Sequence, residues 1–247
     1  MPNGEVAAGL SEALAAFVVA TPAHVPPRAH ALFDAGLAAL ERSTPIANEL
    51  TASLAFFGSP PQARVVGPGS LRAGALVAAQ ANGAAFAGDP ELGEAAAVVA
   101  AALAGGELAG ADESRIVAAI AIGCEVAARV RRSVTLDPAW DATSVVAFLG
   151  AAAAAAHVFA LEQRQARDAL GLAATQATGL ALARGTTGGA AAIGKAASDA
   201  LEAAELARHG FTSAPASIEG RRGFAALMGT NFEPRVVLAG LGEEWVV

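Results

Sequence analysis

The run VVAFLGAAAAAAHVFAL, from Val145 to Leu161, carries no formal charge, and eight of its seventeen residues are alanine. It is either a membrane span or a helix enclosed by other helices. A span wants about 20 strongly apolar residues. This run is mostly alanine, is broken by Gly150 and His157, and is flanked by Asp141 and Glu162 without basic anchors. A helix that is apolar all round is one surrounded by protein. The stretch therefore predicts the buried central helix of a compact helical domain, with His157 a hydrogen-bonded core histidine. Ala95 to Ala104 has the same character.

Composition supports that reading. Hydrophobic residues make up 54% of the 247, yet aromatics are only 5% and tyrosine is absent, so alanine carries the excess. Low charge with high apolar content excludes disorder. Sparse β-branched and aromatic residues argue against a sheet protein, while the best helix former is everywhere. Lys and Arg number 16 against 23 Asp and Glu, a net charge of -7. That balance disfavours nucleic acid and membrane as partners, since both demand a basic patch. Cys124 is the only cysteine, which excludes an internal disulfide and any cysteine-based zinc site. A reduced, cytoplasmic protein is expected. The opening Met1-Pro2-Asn3-Gly4-Glu5 lacks the positive segment of a secretory signal, so the mature chain is expected to start there.

Outward from the central run, helical periodicity dominates. Helices are expected from about Glu5 to Ala20, from Pro26-Pro27 onward, and from Pro45 to Phe57. Further ones are expected at Leu71 to Gln80, Leu92 to Ala104, Glu113 to Arg132, Glu162 to Ala183, Gly189 to His209 and Gly223 to Met228. Pro26-Pro27 suits a first helical turn, Asp112 or Ser114 an N-cap, and Gly210 the position just past a helix end. Strand character is confined to Ala63 to Val66 and Val236 to Leu238, within an extended tail from Pro234 to Val247. Alanine and glycine at helix contacts let axes approach toward the low end of roughly 8–10 Å. No repeat or composition shift marks a boundary, so a single all-α domain over residues 1–247 is expected.

Candidate chemistry is sparse. Gly189 to Lys195 matches most of a phosphate loop, but a helix precedes it and Ala196 stands where Ser or Thr should hold magnesium; nucleotide binding finds no support. Lys195 is the only lysine in the chain. Such a lysine either binds a substrate anion or simply reaches the surface. His24, His30, His157 and His209 include no pair at the i,i+4 spacing of a helical metal site, so no metal site is expected. No Gly-x-Ser-x-Gly elbow is present. Asp141 and Thr143 stand where a helix begins and suit an N-cap. Asp89, in Gly88-Asp89-Pro90, suits a turn. Glu125 and Arg129 suit an i,i+4 ion pair.

The order of several phrases resembles the MmgE/PrpD family, whose members include 2-methylcitrate dehydratase, cis-aconitate decarboxylase and iminodisuccinate epimerase. Val25-Pro26-Pro27 with Leu32-Phe33-Asp34-Ala35-Gly36 looks like the family's opening helix, and Ala78 to Ala85 like its Asn-Gly segment. Ile122-Gly123-Cys124-Glu125 through Arg129 resembles its Gly-Tyr-Glu-x-x-x-Arg helix. Gly194-Lys195, His209-Gly210-Phe211-Thr212, Ile218-Glu219-Gly220 and Gly223-Phe224 follow its most recognisable stretch. The resemblance runs from about Leu14 to Trp245.

It implies an all-α helical domain that ends, with a tail over residues 229–247, about where the family's lid domain begins. It also implies lyase or isomerase chemistry on a small organic acid by cofactor-free proton transfer. The alternative is a non-catalytic helical subunit or binding protein that completes or stabilises a partner. A homodimer, or a complex with a related chain, is expected. Carried over by position, the family's site places Lys195, Asp141 and Asp89 as catalytic residues, with Thr143 and Lys195 holding a carboxylate. Two departures matter. Asp141 replaces the histidine of the family's Phe-His-Pro-Thr stretch, and Phe86 to Glu91 shortens its acidic motif, so that only Asp89 matches.

Overall fold

The computed structural model describes residues 9–247 except 43, 55–57, 59 and 68–70. Eleven α-helices lie among the described residues, with four two-residue strands. They are α1 (Leu10–Val19), α2 (Pro27–Leu40), α3 (Pro45–Leu54), α4 (Ala75–Phe86), α5 (Ala96–Ala109) and α6 (Glu113–Ser133). After these come α7 (Ala142–Val158), α8 (Gln163–Ala174), α9 (Thr187–Arg208), α10 (Phe224–Met228) and α11 (Pro234–Leu238). The expected start of the first helix at Glu5 and the end of the third at Phe57 lie outside the described residues. None of the described helices is long and apolar enough to cross a membrane.

The alanine-rich run forms α7, and every residue from Ser144 to Val158 is buried. It packs against α1, α5, α6, α8 and α9, which makes it the centre of the domain. His157 is a core histidine, as expected: its Nδ1 lies 2.8 Å from the Val18 carbonyl oxygen of α1. Burial depresses its pKa, more than that hydrogen bond raises it.

Small residues set how closely the layers approach. A Cβ on Gly150 of α7 would lie 2.7 Å from the Gly123 carbonyl oxygen of α6, and one on Gly123 would lie 2.6 Å from the Gly150 oxygen. The same close approach joins α4 to α9, where a Cβ on Gly194 would lie 2.1 Å from the Gln80 oxygen. Any side chain at these crossings would hold the axes apart.

Short strands tie loops to this frame. β1 (Ala63–Arg64) pairs with β2 (Arg72–Ala73), and β3 (Thr135–Leu136) with β4 (Gly229–Thr230), both antiparallel. Asn82 of α4 holds the first pair in place, accepting from the Val66 amide at 2.8 Å and donating to the Arg64 carbonyl at 2.9 Å. Because Arg72 and Ala73 belong to that pair, the helix expected from Leu71 starts at Ala75 and runs on to Phe86.

Two further expectations are corrected. The helix expected to reach Ala183 ends at Ala174, because Leu180 bridges to Trp140 instead. The tail is not simply extended: Pro234–Leu238 is a helix where a strand was expected, with Pro234 in its first turn. A buried ion pair on α6 clasps this tail. Arg129, 2% exposed, meets Glu125 at 2.5 Å and donates to the carbonyls of Val237, Ala239, Gly240 and Glu244. Glu125 in turn accepts from the Val246 amide at 2.8 Å. The expected i,i+4 pair is thus also the anchor of the tail.

Candidate functional site

The helices α7 and α9 both begin at one cleft of about 670 Å³. Asp141 caps α7, its Oδ2 accepting from the Ser144 amide at 3.1 Å and the Ser144 hydroxyl at 2.7 Å. Thr186 caps α9, its hydroxyl oxygen accepting from the Gly189 amide at 3.1 Å. The loops leading into the two helices are stitched together. The Asp141 amide donates to the Gly179 carbonyl at 2.8 Å, and the Ala181 amide to the Ala139 carbonyl at 2.9 Å. Gly179 makes this possible: its φ is +145°, and a Cβ there would lie 2.5 Å from the Ser144 side chain.

Arg184 completes the constellation. Its Nε and Nη2 donate to Asp141 Oδ1 at 2.9 and 2.6 Å. Its side chain is 69% exposed while that of Asp141 is 12% exposed, so the guanidinium stands at the cleft with one face free. Burial pushes the Asp141 carboxyl up, but the hydrogen bonds from Ser144 and Arg184 together outweigh it and hold the group below the usual carboxylate range. Asp141 is therefore ionised at neutral pH and a poor base. Thr143 lies in the same cleft, as do Glu94 and the small residues Ala84, Ala85, Ala190 and Ala192. Glu94, Asp141 and Arg184 are the ionisable residues that line it. Among the described residues Glu94 has no ion pair, and it is exposed.

The structure brings together only part of the expected site. Asp141 and Thr143 share the cleft; Lys195 does not line it. The wall that α9 contributes consists of Gly189, Ala190, Ala192 and Ile193. Lys195 lies one turn beyond Ala192 and about 60° around the helix from it, past the edge of that wall. It pairs instead with Asp199 one turn along, and is half exposed. Asp89 stays in its turn, accepting from the Glu91 amide at 2.9 Å and meeting Arg42 at 2.5 Å, in a separate depression beside the cleft. None of the four histidines lines the cleft. Among the described residues no group of three or more His, Cys, Asp and Glu side chains is placed to hold a metal ion.

Sequence reasoning missed Arg184. The signal was its setting, Ala183-Arg184-Gly185-Thr186-Thr187-Gly188-Gly189, a lone charge in a run too rich in glycine and threonine for a helix interior. Extending the preceding helix to Ala183 hid it.

The fold is an all-helical domain with a cleft between two helix N-termini, lined by Asp141, Arg184 and Glu94 among its ionisable residues. Residues 30–237 match the family model of the MmgE/PrpD N-terminal domain, and the chain belongs to the MmgE/PrpD family. A search of curated proteins found no match.

Proposed function

We propose that this chain binds a small organic acid in the Asp141–Arg184 cleft and acts on it as an MmgE/PrpD-type lyase or isomerase, by proton transfer without a cofactor. The observation that carries the proposal is Arg184, an exposed guanidinium in an otherwise small and apolar cleft that also holds one unpaired carboxylate, Glu94. A planar guanidinium matches a carboxylate in two parallel hydrogen bonds. The N-termini of α7 and α9 add partial positive charge on the same side.

In this reading the substrate carboxylate binds the free face of Arg184. Glu94 removes a proton from the adjacent carbon, and the electron pair of the broken C–H bond moves onto the carboxylate, whose growing negative charge Arg184 stabilises. Expulsion of a group from the next carbon gives a lyase; return of the proton to the other face gives an isomerase. Asp141 caps α7 and orients Arg184, and is not the base.

The test combines ligand-induced thermal shift with solvent-deuterium exchange, using a panel of small di- and tricarboxylates. Wild type should bind at least one acid and exchange deuterium into it. Arg184→Gln should weaken binding by about tenfold or more, the loss of one charge-assisted contact. Glu94→Gln should bind but not exchange. Lys195→Ala should do both as wild type does, with stability changed by less than about 1 kcal/mol, since its pair is half exposed. Binding without exchange would instead support the second reading, a non-catalytic subunit, which the lack of any imidazole or amine in the cleft favours. Failure of every acid to bind would sink the enzyme reading and leave the non-catalytic subunit.

A further inference from the structure

A second pocket, of about 260 Å³, lies between α2, α5, α6 and α7. It meets the cleft at Glu94 and Thr143 but does not include Arg184 or Asp141. Three arginines from two helices reach it: Arg28 from α2, and Arg131 and Arg132 from α6. Glu94 is the one carboxylate side chain on its lining, so the side chains there carry an excess of positive charge. The deeper wall is apolar, built from Leu32, Val98, Val146 and the half-buried Cys124.

Arg131 and Arg132 suit their position, because cations are stabilised at a helix C-terminus. Arg28 does not. It occupies the first turn of α2, where the helix carries partial positive charge and a cation is disfavoured. Neither Arg28 nor Arg131 has an ion-pair partner among the described residues, and Arg132 donates only to the Val246 carbonyl, at 3.1 Å. Arg28 reaches inward as well: burial pushes the Cys124 thiol up to about 12, and Arg28 is the cation near enough to oppose that shift. Three guanidiniums line this apolar-backed pocket against one carboxylate side chain; Val247, the last residue of the sequence, lines it too but makes no ion pair with them among the described residues, so the arginines are left free to take an anion.

We propose that this pocket is a second ligand site, which binds a small oxyanion carried on a short apolar group: a carboxylate or a phosphate monoester. Arg28, Arg131 and Arg132 hold the oxyanion, and the apolar end rests on Leu32, Val98, Val146 and Cys124. The volume admits a short chain and excludes a nucleotide or a long acyl tail. Because Glu94 and Thr143 face both spaces, an occupant here would set the charge and position of the groups at the edge of the cleft.

The proposal is tested by calorimetric titration of the full chain with n-propyl phosphate and with butyrate. n-Propanol serves as the uncharged comparison. A parallel measurement follows the rate at which methyl methanethiosulfonate modifies Cys124, the chain's only cysteine. Saturable binding of either anion at millimolar concentration or below is expected, with no binding of propanol. The two anion arms distinguish a phosphate from a carboxylate preference. Arg28→Gln and Arg131→Gln should each weaken the binding that protects Cys124 by about tenfold or more, while Arg184→Gln leaves that protection unchanged. Bound anion should slow Cys124 modification several-fold in wild type and Arg184→Gln, but not in Arg28→Gln. Both substituted arginines are exposed and unpaired, so the variants should fold, which circular dichroism checks. Absence of saturable binding overturns the proposal, as does protection of Cys124 that survives both substitutions. Binding lost only in Arg184→Gln would also overturn it and assign the anion to the cleft, so the two sites stand or fall separately.

Discussion

Gly150→Ala is the substitution in which helix propensity and packing disagree most sharply. Propensity alone favours alanine over glycine in a helix interior by about 0.8–1.0 kcal/mol. At Gly150 the new Cβ would lie 2.7 Å from the Gly123 carbonyl oxygen, 2.8 Å from the Ala127 Cβ and 3.1 Å from a Val98 methyl. A carbon normally keeps about 3.3 Å from a carbonyl oxygen, so α6 and α7 would have to separate by roughly 0.6 Å. The obstacle is backbone, which cannot rotate away as a side-chain end can. Overpacking of this kind costs typically about 1–3 kcal/mol, and a rigid obstacle on the central helix places this case toward the upper end. The net expectation is a loss of about 1–2 kcal/mol, or a Tm lower by roughly 2–8 °C for a chain of this size. Gly105→Ala supplies the comparison. Its Cβ would meet the Leu201 Cδ1 at 3.0 Å, the end of a flexible side chain, and nothing else closer than 3.7 Å. There propensity should win, leaving stability unchanged or raised by up to about 1 kcal/mol. Urea denaturation followed by circular dichroism measures both variants. If Gly150→Ala is as stable as wild type, or ranks above Gly105→Ala, the close α6–α7 crossing does not hold this fold together.

Two further outcomes follow from buried charge. Arg129→Met should cost about 3–5 kcal/mol, because it strands the buried Glu125 carboxylate, and proteolysis should then remove the tail beyond Val237; a loss under about 1 kcal/mol in urea denaturation would refute the clasp. For His157, burial lowers the folded pKa, so below its unfolded value of about 6.5 the unfolded state binds the proton first. Its contribution to stability is therefore present above that pH and lost as pH falls through the window beneath it. The carboxylates of Asp141 and Glu205, also held low, lose theirs only in more acid solution, as pH drops below their unfolded range near 4. Thermal melts between pH 7 and 5 should show a decline in wild type and a flatter line in His157→Phe; equal slopes would place the proton elsewhere.

How much of this fold the sequence disclosed depended on whether the deciding force was local. The buried α7 was legible because its whole circumference is apolar. The Asp112 cap was legible because its side chain bonds three residues on, to the Arg115 amide at 2.9 Å. The Glu125–Arg129 pair was legible from its spacing. The end of α8 was not. Nothing in Thr175-Gln176-Ala177-Thr178 forbids helix, and the chain leaves it to bridge Trp140 with Leu180. Arg72 likewise leaves helix for a strand partner. The helix at Pro234 did have a local signal, since proline suits a first turn, and the β-branched valines after it obscured it.

The candidate site was harder to read because what makes a residue functional there is its direction, and direction is set by helix phase. Lys195 drew notice as the only lysine. Yet the four α9 residues that line the cleft are Gly189, Ala190, Ala192 and Ile193, and Lys195, one turn beyond Ala192, lies past the edge of that face and is held by Asp199. The crossing at Gly194 fixes that phase: it must face α4, with the Gln80 carbonyl against its backbone. Rotating α9 far enough to turn Lys195 into the cleft would drive a side chain into that contact. The cation the cleft does have comes from the loop before the helix, where Arg184 is unconstrained by helix phase and is held by Asp141. Asp141, where the family resemblance implied a histidine, is thus the partner of Arg184. With Asp141 held by Arg184, the proposed acid recognition rests on Arg184 and the proposed proton transfer on Glu94, the carboxylate in the cleft without an ion pair among the described residues.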